Sequence, residues 1–135
     1  PPGGSSFCHV REVAKAHIAA AKQGRAGENY LCAGMQETNI PYVDMFARMA
    51  HAINAKPVHL VVPKKLFVLY GYACEWFARF TKKPPEMNPG QARYMSVPQY
   101  AISGKAMNEL DYKVPSVESC IEDALIWYRS EGYNI

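Results

Sequence analysis

Several kinds of chemistry leave marks that this 135-residue sequence does not carry. There is no Gly-x-Gly-x-x-Gly turn, no GxxxxGK[ST] loop and no GxSxG elbow, which excludes the usual dinucleotide cradle, P-loop and hydrolase nucleophile. Gly24-x-x-Gly27 comes nearest, but Tyr30 stands at the third position beyond, where a bulky side chain would block a pyrophosphate. None of the nine tyrosines has Lys four residues on; Tyr100 and Lys105 miss that spacing by one, which rotates them off a common helix face. A Tyr-x-x-x-Lys acid/base pair is therefore absent.

Metal and redox patterns are missing too. The histidines His9, His17, His51 and His59 contain no HExxH, and Cys8, Cys32, Cys74 and Cys120 contain no CxxC and complete no zinc spacing. Widely spaced cysteines among apolar residues read as buried, reduced thiols of a cytoplasmic protein, with no metal bound. The 15 Lys and Arg are interspersed with 12 Asp and Glu, and no basic stripe suggests nucleic acid. The longest mostly apolar run, Leu66 to Ala78, is interrupted by Glu75 and is too short to span a bilayer.

What is present is an ordinary globular composition, 49% hydrophobic and 20% charged, at a length suited to one domain over residues 1–135. Phe7 to Val10 reads as a short extended segment leading into an amphipathic helix whose stripe is Val10, Val13, Ala14, His17, Ile18 and Ala21. Gly24 would end that helix with positive φ. Asn29 to Ala33 reads as a buried strand closed by Gly34. A second helix begins near Tyr42, with Asp44 placed to pair with Arg48. Val58 to Val62, between Pro57 and Pro63, reads as another strand.

The helix from Lys64 to about Phe80 is apolar nearly all round. Leu66, Leu69, Tyr70, Ala73, Cys74 and Phe77 form one stripe, while Phe67, Tyr72 and Trp76 crowd a second face that should meet a ligand, a domain, a subunit or a membrane surface. Lys82 to Gln99, with four prolines, reads as a long binding loop. A short helix near Ser103 to Leu110 and a last one from Val117, capped by Ser116 and followed by Gly132, close the chain. Glu118, Glu122 and Asp123 fall on the wet face of that last helix and read as solubilising charge.

The fold class is therefore α/β, or α+β as an isolated piece, helix-rich with about three short strands. Four amphipathic helices need more sheet than these strands supply. The chain also opens on Pro-Pro-Gly-Gly-Ser-Ser without an initiator Met, which reads as a loop interior to a longer protein.

Three stretches resemble extended short-chain dehydrogenases/reductases, closest to the dihydroflavonol-reductase-like and 3-beta-hydroxysteroid-dehydrogenase-like proteins, with nucleotide-sugar epimerases next. Phe7 to Ile18 is similar to the phrase F-V-H-V-x-D-V-A-x-A-H. Gly27-Glu28-Asn29-Tyr30-Leu31 resembles the G-E-x-Y-x-L strand that returns to the edge of the cofactor-binding sheet. Ser103-Gly104-Lys105-Ala106, Glu109-Leu110-Asp111-Tyr112 and Trp127-Tyr128-Arg129 resemble the closing S-K-A, E-L-G-Y and W-Y-R signature. Asp111 replaces the usual Gly, a position where Asp tolerates left-handed backbone, and Glu12 replaces the usual Asp.

The resemblance implies the carboxy-terminal, substrate-binding part of a Rossmann-type NAD(P)-dependent oxidoreductase or epimerase acting on a small molecule. The catalytic residues and the NAD or NADP site would then lie in an N-terminal Rossmann domain, the expected partner of this piece, which itself would bind no cofactor and turn nothing over. In the epimerase branch, an Arg seven residues before a Tyr binds the substrate diphosphate while the Tyr shapes the sugar pocket, and Arg93 and Tyr100 have that spacing. The alternative is a non-enzymatic interaction or dimerisation module using the apolar helix faces, with a homodimer as its product. A third reading, from steroid dehydrogenases that sit on membranes, sets Phe67, Tyr72 and Trp76 against lipid.

Overall fold

A computed structural model describes residues 1–57 and 59–133. It is a helix-rich α+β structure with a small sheet of three strands, β1 (Gly4–Ser6), β2 (Asn39–Pro41) and β3 (Pro98–Gln99). The helices are α1 (Val10–Gln23), α2 (Tyr42–Ala52), α3 (Lys64–Thr81), α4 (Pro89–Tyr94), α5 (Gly104–Leu110) and α6 (Val117–Ser130). In the sheet, β1 is central, antiparallel to β2 and parallel to β3, with Ser5 opposite Ile40 on one side and Gln99 on the other.

Most helix ends lie where the residues dictate them. Ser116 caps α6, its hydroxyl accepting from the Ser119 amide at 3.2 Å, and Gly132 beyond its end has φ +83°. Asp111 takes the left-handed conformation after α5, at φ 53°, so the turn usually made by Gly survives. Gly24 differs from expectation. It is extended at φ −66°, and glycine is needed there for space, because a Cβ would sit 2.4 Å from the Ala20 carbonyl oxygen.

The strands do not lie where periodicity put them. Asn29 to Ala33 forms no strand and pairs in no ladder, because its neighbours are side chains of the α5 region rather than a strand. Of the Val58–Val62 run, Val58 lies outside the described residues and 59–62 is irregular. The actual strands are Gly/Ser/Pro-rich segments of two or three residues, too short to show alternation. The loop from Lys82 to Gln99 also contains more order than expected, in α4 and β3.

Two small apolar clusters hold the molecule. Ile40, Met45, Val117 and Ile121 join β2, α2 and α6, with Phe7 and Leu125 packed against them. Ala16, Ala106 and Tyr112 join α1 to the α5 region, with Tyr30 and Cys32 among the residues alongside. All four cysteines are free and half-buried rather than buried. The main stripe of α3, expected to face the core, is exposed: Leu66, Leu69 and Phe77 are 56%, 62% and 60% accessible. What α3 covers instead is α4, through its small-residue face, and no helix among the described residues is long and apolar enough to cross a membrane.

Candidate functional site

The wall that carries Arg93 and Tyr100 begins with a close crossing of two helices. Asn88 starts α4 with reciprocal hydrogen bonds, its side chain accepting from the Gln91 amide at 2.8 Å and its amide donating to the Gln91 side chain at 3.1 Å, with Pro89 pre-set in the first turn. Fully buried Ala92 then lies on Gly71 of α3, where an added Cβ would meet Ala92 Cβ at 3.1 Å and the Asn88 carbonyl oxygen at 3.0 Å. This contact brings the next residue of each helix together. Arg93 donates from Nη2 to the Tyr72 hydroxyl, and its guanidinium lies 5.5 Å from the centre of the Tyr72 ring.

Tyr100 follows β3 and lies against Gly4 in the central strand. A Cβ at Gly4 would be 2.5 Å from the Tyr100 hydroxyl and 2.7 Å from the Ile40 carbonyl oxygen, so the ring occupies the space a side chain would fill. Ser6, two residues along, ties the following segment down by accepting from the Ala101 amide at 2.7 Å and donating to the Asn39 side chain. Arg93 and Tyr100 thus sit on one connected segment but are held by different partners, and no hydrogen bond joins them. Both are exposed on their outer sides.

Electrostatically, Arg93 stands apart from most arginines of the chain. Arg11, Arg25, Arg48 and Arg79 each meet a carboxylate, whereas Arg93 makes no ion pair among the described residues. Its charge is oriented by a tyrosine and left without a counter-ion, which suits a planar anion. Two residues before Tyr72, and so on the other side of α3, Tyr70 hydrogen-bonds Glu86 at 3.3 Å, and the Cys74 thiol together with that carboxylate pushes its phenol up to about 12.

A second group of polar residues, in a cleft of about 420 Å³ between α1 and α6, is a clamp rather than a catalytic site. His9 caps α1 by accepting from the Arg11 amide at Nδ1, 3.2 Å away, so its proton is on Nε2, which donates to Asp123 Oδ2 at 3.0 Å. Arg11 donates to the same oxygen at 3.3 Å. Both ring nitrogens are engaged, and burial pushes the neighbouring Cys120 thiol up, away from the reactive thiolate. Asp123, read from the sequence as surface charge, therefore joins the two ends of the chain. Arg48 likewise pairs with Glu118 of α6 and not with Asp44.

A third cluster stitches the turn after α1 to α5. Arg25 forks onto Glu109, Nη2 to Oε1 at 2.6 Å and Nε to Oε2 at 3.1 Å, and Tyr30 donates to Oε2 at 2.7 Å. Lys105 reaches Glu28 at 2.5 Å and the Asn29 carbonyl at 3.0 Å, its ammonium 4.6 Å from the Tyr30 ring centre. Arg25 holds Glu109, and Lys105 holds Glu28, below the usual carboxylate range. The Gly24–Gly27 turn inside this cluster does not fit NAD or NADP: it ends a helix instead of opening one, and two carboxylates lie where a pyrophosphate would have to bind. No group of three or more His, Cys, Asp and Glu side chains placed to hold a metal occurs among the described residues.

Sequence reasoning did not identify Tyr72 as the partner of Arg93, nor His9 and Asp123 as partners. Those pairs are separated by 21 and 114 residues, and neither spacing has a periodic signal. The crystal structure of gox2253 superposes on this chain with a TM-score of 0.70 at 27% sequence identity, covering 96% of this chain and 38% of that one, so the chain spans well under half the length of gox2253. No family model and no curated protein matches the chain.

Proposed function

We propose that this chain is the carboxy-terminal, substrate-facing part of an NAD(P)-dependent oxidoreductase or epimerase of the extended short-chain dehydrogenase/reductase type. The observation that carries the reading is that the three stretches resembling that family are joined by direct contacts. The Phe7–Ile18 stretch meets the last helix through His9 and Asp123, and the Gly27–Leu31 stretch meets the Ser103–Leu110 stretch through Lys105–Glu28 and Tyr30–Glu109.

A strand edge supports it as well. Tyr30, Leu31 and Cys32 belong to no helix or ladder, and among the described residues their backbone N–H and C=O groups have no hydrogen-bond partner. Such an edge is suited to a neighbouring strand, and the resemblance assigns this segment to the edge of the cofactor-binding sheet. Val10 and Ile18 on α1 and Ile126 on α6, 77%, 58% and 63% accessible, are apolar surface that the same sheet would cover. In this reading Arg93 binds an anionic or strongly polar group of the substrate, Tyr72 orients its fork, and Tyr100 lines the pocket beside it. Proton and hydride transfer belong to the other half.

The test is to read and express the coding sequence upstream of Pro1 together with this chain. The expected protein has a strand-glycine-helix fingerprint and a Tyr-x-x-x-Lys pair, and binds NADH or NADPH in titration calorimetry. The 135-residue chain alone is expected to give no saturable isotherm; one that does, or an upstream sequence without those motifs, sinks the assignment.

A further inference from the structure

α3 presents its apolar side to solvent. Leu66, Leu69, Ala73, Trp76 and Phe80 recur at alternating intervals of three and four residues, the a and d seam of a heptad over about two and a half repeats. The seam lies on the side away from Gly71 and its contact with α4. Leu66, Leu69, Trp76 and Phe80 are 56%, 62%, 56% and 68% accessible. Trp76 meets Phe80 edge-on with ring centres 4.6 Å apart, and the small Ala73 one layer earlier leaves room beside the indole.

The two borders of this seam differ in charge. The g border holds Lys65, Tyr72 and Arg79, and the e border holds Tyr70 and Phe77. Tyr70 donates to Glu86 at 3.3 Å, so the e border bears a carboxylate. Lys65 and Glu86 are both exposed, and neither makes an ion pair among the described residues, whereas Arg79 already has Glu75 at 3.8 Å. In a parallel pair of helices each g residue faces the e residue of the partner's next heptad, which sets Lys65 against the partner's Tyr70 and Glu86. An antiparallel pair would set g against g, and so base against base.

From this arrangement we propose that α3 is the interface of a two-fold homodimer, in which the α3 helices of two copies lie parallel, their a and d residues interleave, and Lys65 of each pairs with the partner's Glu86. A second copy is the occupant because this one face carries both halves of the charge pair, which is the self-complementarity that a two-fold contact requires. The remaining lysines do not oppose it: Lys64, at f, points away from the seam, and Lys82 and Lys83 lie beyond the helix end. α3 is already folded against α4, so association requires no helix formation. The interface is not the Phe67, Tyr72 and Trp76 face expected from sequence, because Phe67 is half-buried and Tyr72 holds Arg93. A seam of this length gives modest affinity, with a dissociation constant on the order of 10 µM. It does not depend on the catalytic assignment above.

Sedimentation velocity of the 135-residue chain tests this. Monomer is expected to give way to dimer as the concentration rises from about 1 to 200 µM. Leu69→Glu with Phe80→Glu should weaken the dimer roughly thirtyfold or more, since it sets four carboxylates into an apolar seam. Lys65→Glu and Glu86→Lys should each weaken it roughly threefold to tenfold. Combining these two reversals should return the dissociation constant to within about twofold of wild type, a recovery that an antiparallel contact does not give. A chain that stays monomeric throughout overturns the proposal, including one that does so while binding lipid vesicles. So does a dimer that the Leu69 and Phe80 variant leaves intact, or one that the combined reversal makes no tighter than the single reversals. Melting curves establish that each variant is folded, and the charge reversals, which alter only exposed side chains, keep the test decisive if the Leu69 and Phe80 variant unfolds.

Discussion

Ser103 and Tyr112 hold the same residue from its two backbone ends: the Ser103 hydroxyl accepts from the Ala33 amide at 2.7 Å, and the Tyr112 hydroxyl donates to the Ala33 carbonyl at 2.8 Å. Ser103 is 1% exposed and Tyr112 3%. Ala33 is half-buried, and a backbone group shielded from water that loses its partner costs more than the hydrogen bond itself contributes. Ser103→Ala should therefore destabilise by about 2 kcal/mol and Tyr112→Phe by about 1 kcal/mol in urea unfolding. Because both act on one residue, the double variant should lose less than the sum. A strictly additive pair would mean that Ala33 is satisfied in some other way.

That relationship also marks the limit of what the residues disclose in one dimension. The helices were readable because Val10, Val13 and His17, or Val117, Ile121 and Leu125, repeat at helical spacing and are bracketed by Ser116 and Gly132. The left-handed turn at Asp111 was readable from the resemblance, which puts Gly there, together with the tolerance of Asp for that backbone. The strands were not, since two- and three-residue segments of Gly, Ser and Pro have no alternation to detect. Asn29 to Ala33 did carry a strand's pattern, yet its backbone is met by Ser103, Lys105 and Tyr112. Arg93 was singled out as a candidate binding residue only through a family spacing, and its hydrogen bond to Tyr72 depends on the Gly71–Ala92 contact, which no local pattern encodes.

Gly4 should be intolerant of any side chain. A Cβ there would meet the Tyr100 hydroxyl at 2.5 Å and, less movably, the Ile40 carbonyl at 2.7 Å, in the strand that joins β2 to β3. Gly4→Ala is expected to cost about 2 kcal/mol or more through forced displacement of a strand partner. It should also raise the accessibility of Tyr100, read by hydrogen exchange of β2 and by tyrosine quenching. Wild-type stability with an unmoved Tyr100 would contradict the packing described.

Stability should fall at acid pH with a slope that depends on Glu109. The Arg25 hydrogen bonds first, and Tyr30 second, hold the Glu109 carboxyl below its ordinary 4.5; Lys105 does the same for Glu28. Below that ordinary value the unfolded chain binds protons that the folded one does not, so stability present above it drains as pH falls through the lowered folded values. Glu109→Gln should lower the melting temperature near neutral pH and flatten its acid dependence, so that the two curves converge at low pH. Parallel curves from neutral to acid pH would show that the fork contributes nothing. In the alkaline direction, burial raises the Tyr112 phenol above its ordinary 10.0, so stability present below that value is lost as pH rises past it, and Tyr112→Phe should weaken this loss.

Arg93 supplies the sharpest test of the proposed substrate-facing role, because its charge is oriented by Tyr72 and has no carboxylate partner among the described residues. In the longer protein proposed above, Arg93→Met should raise KM roughly tenfold while kcat changes little, the pattern of lost ground-state and transition-state binding in equal measure. Arg93→Lys should restore little, since an ammonium cannot offer the planar fork. Tyr72→Phe keeps the ring beneath the guanidinium and removes only the hydroxyl, so its rise in KM should be smaller, roughly two- to threefold. A KM unmoved by Arg93→Met would take Arg93 out of the pocket and favour an uncharged substrate, held by Tyr100 and the apolar wall alone.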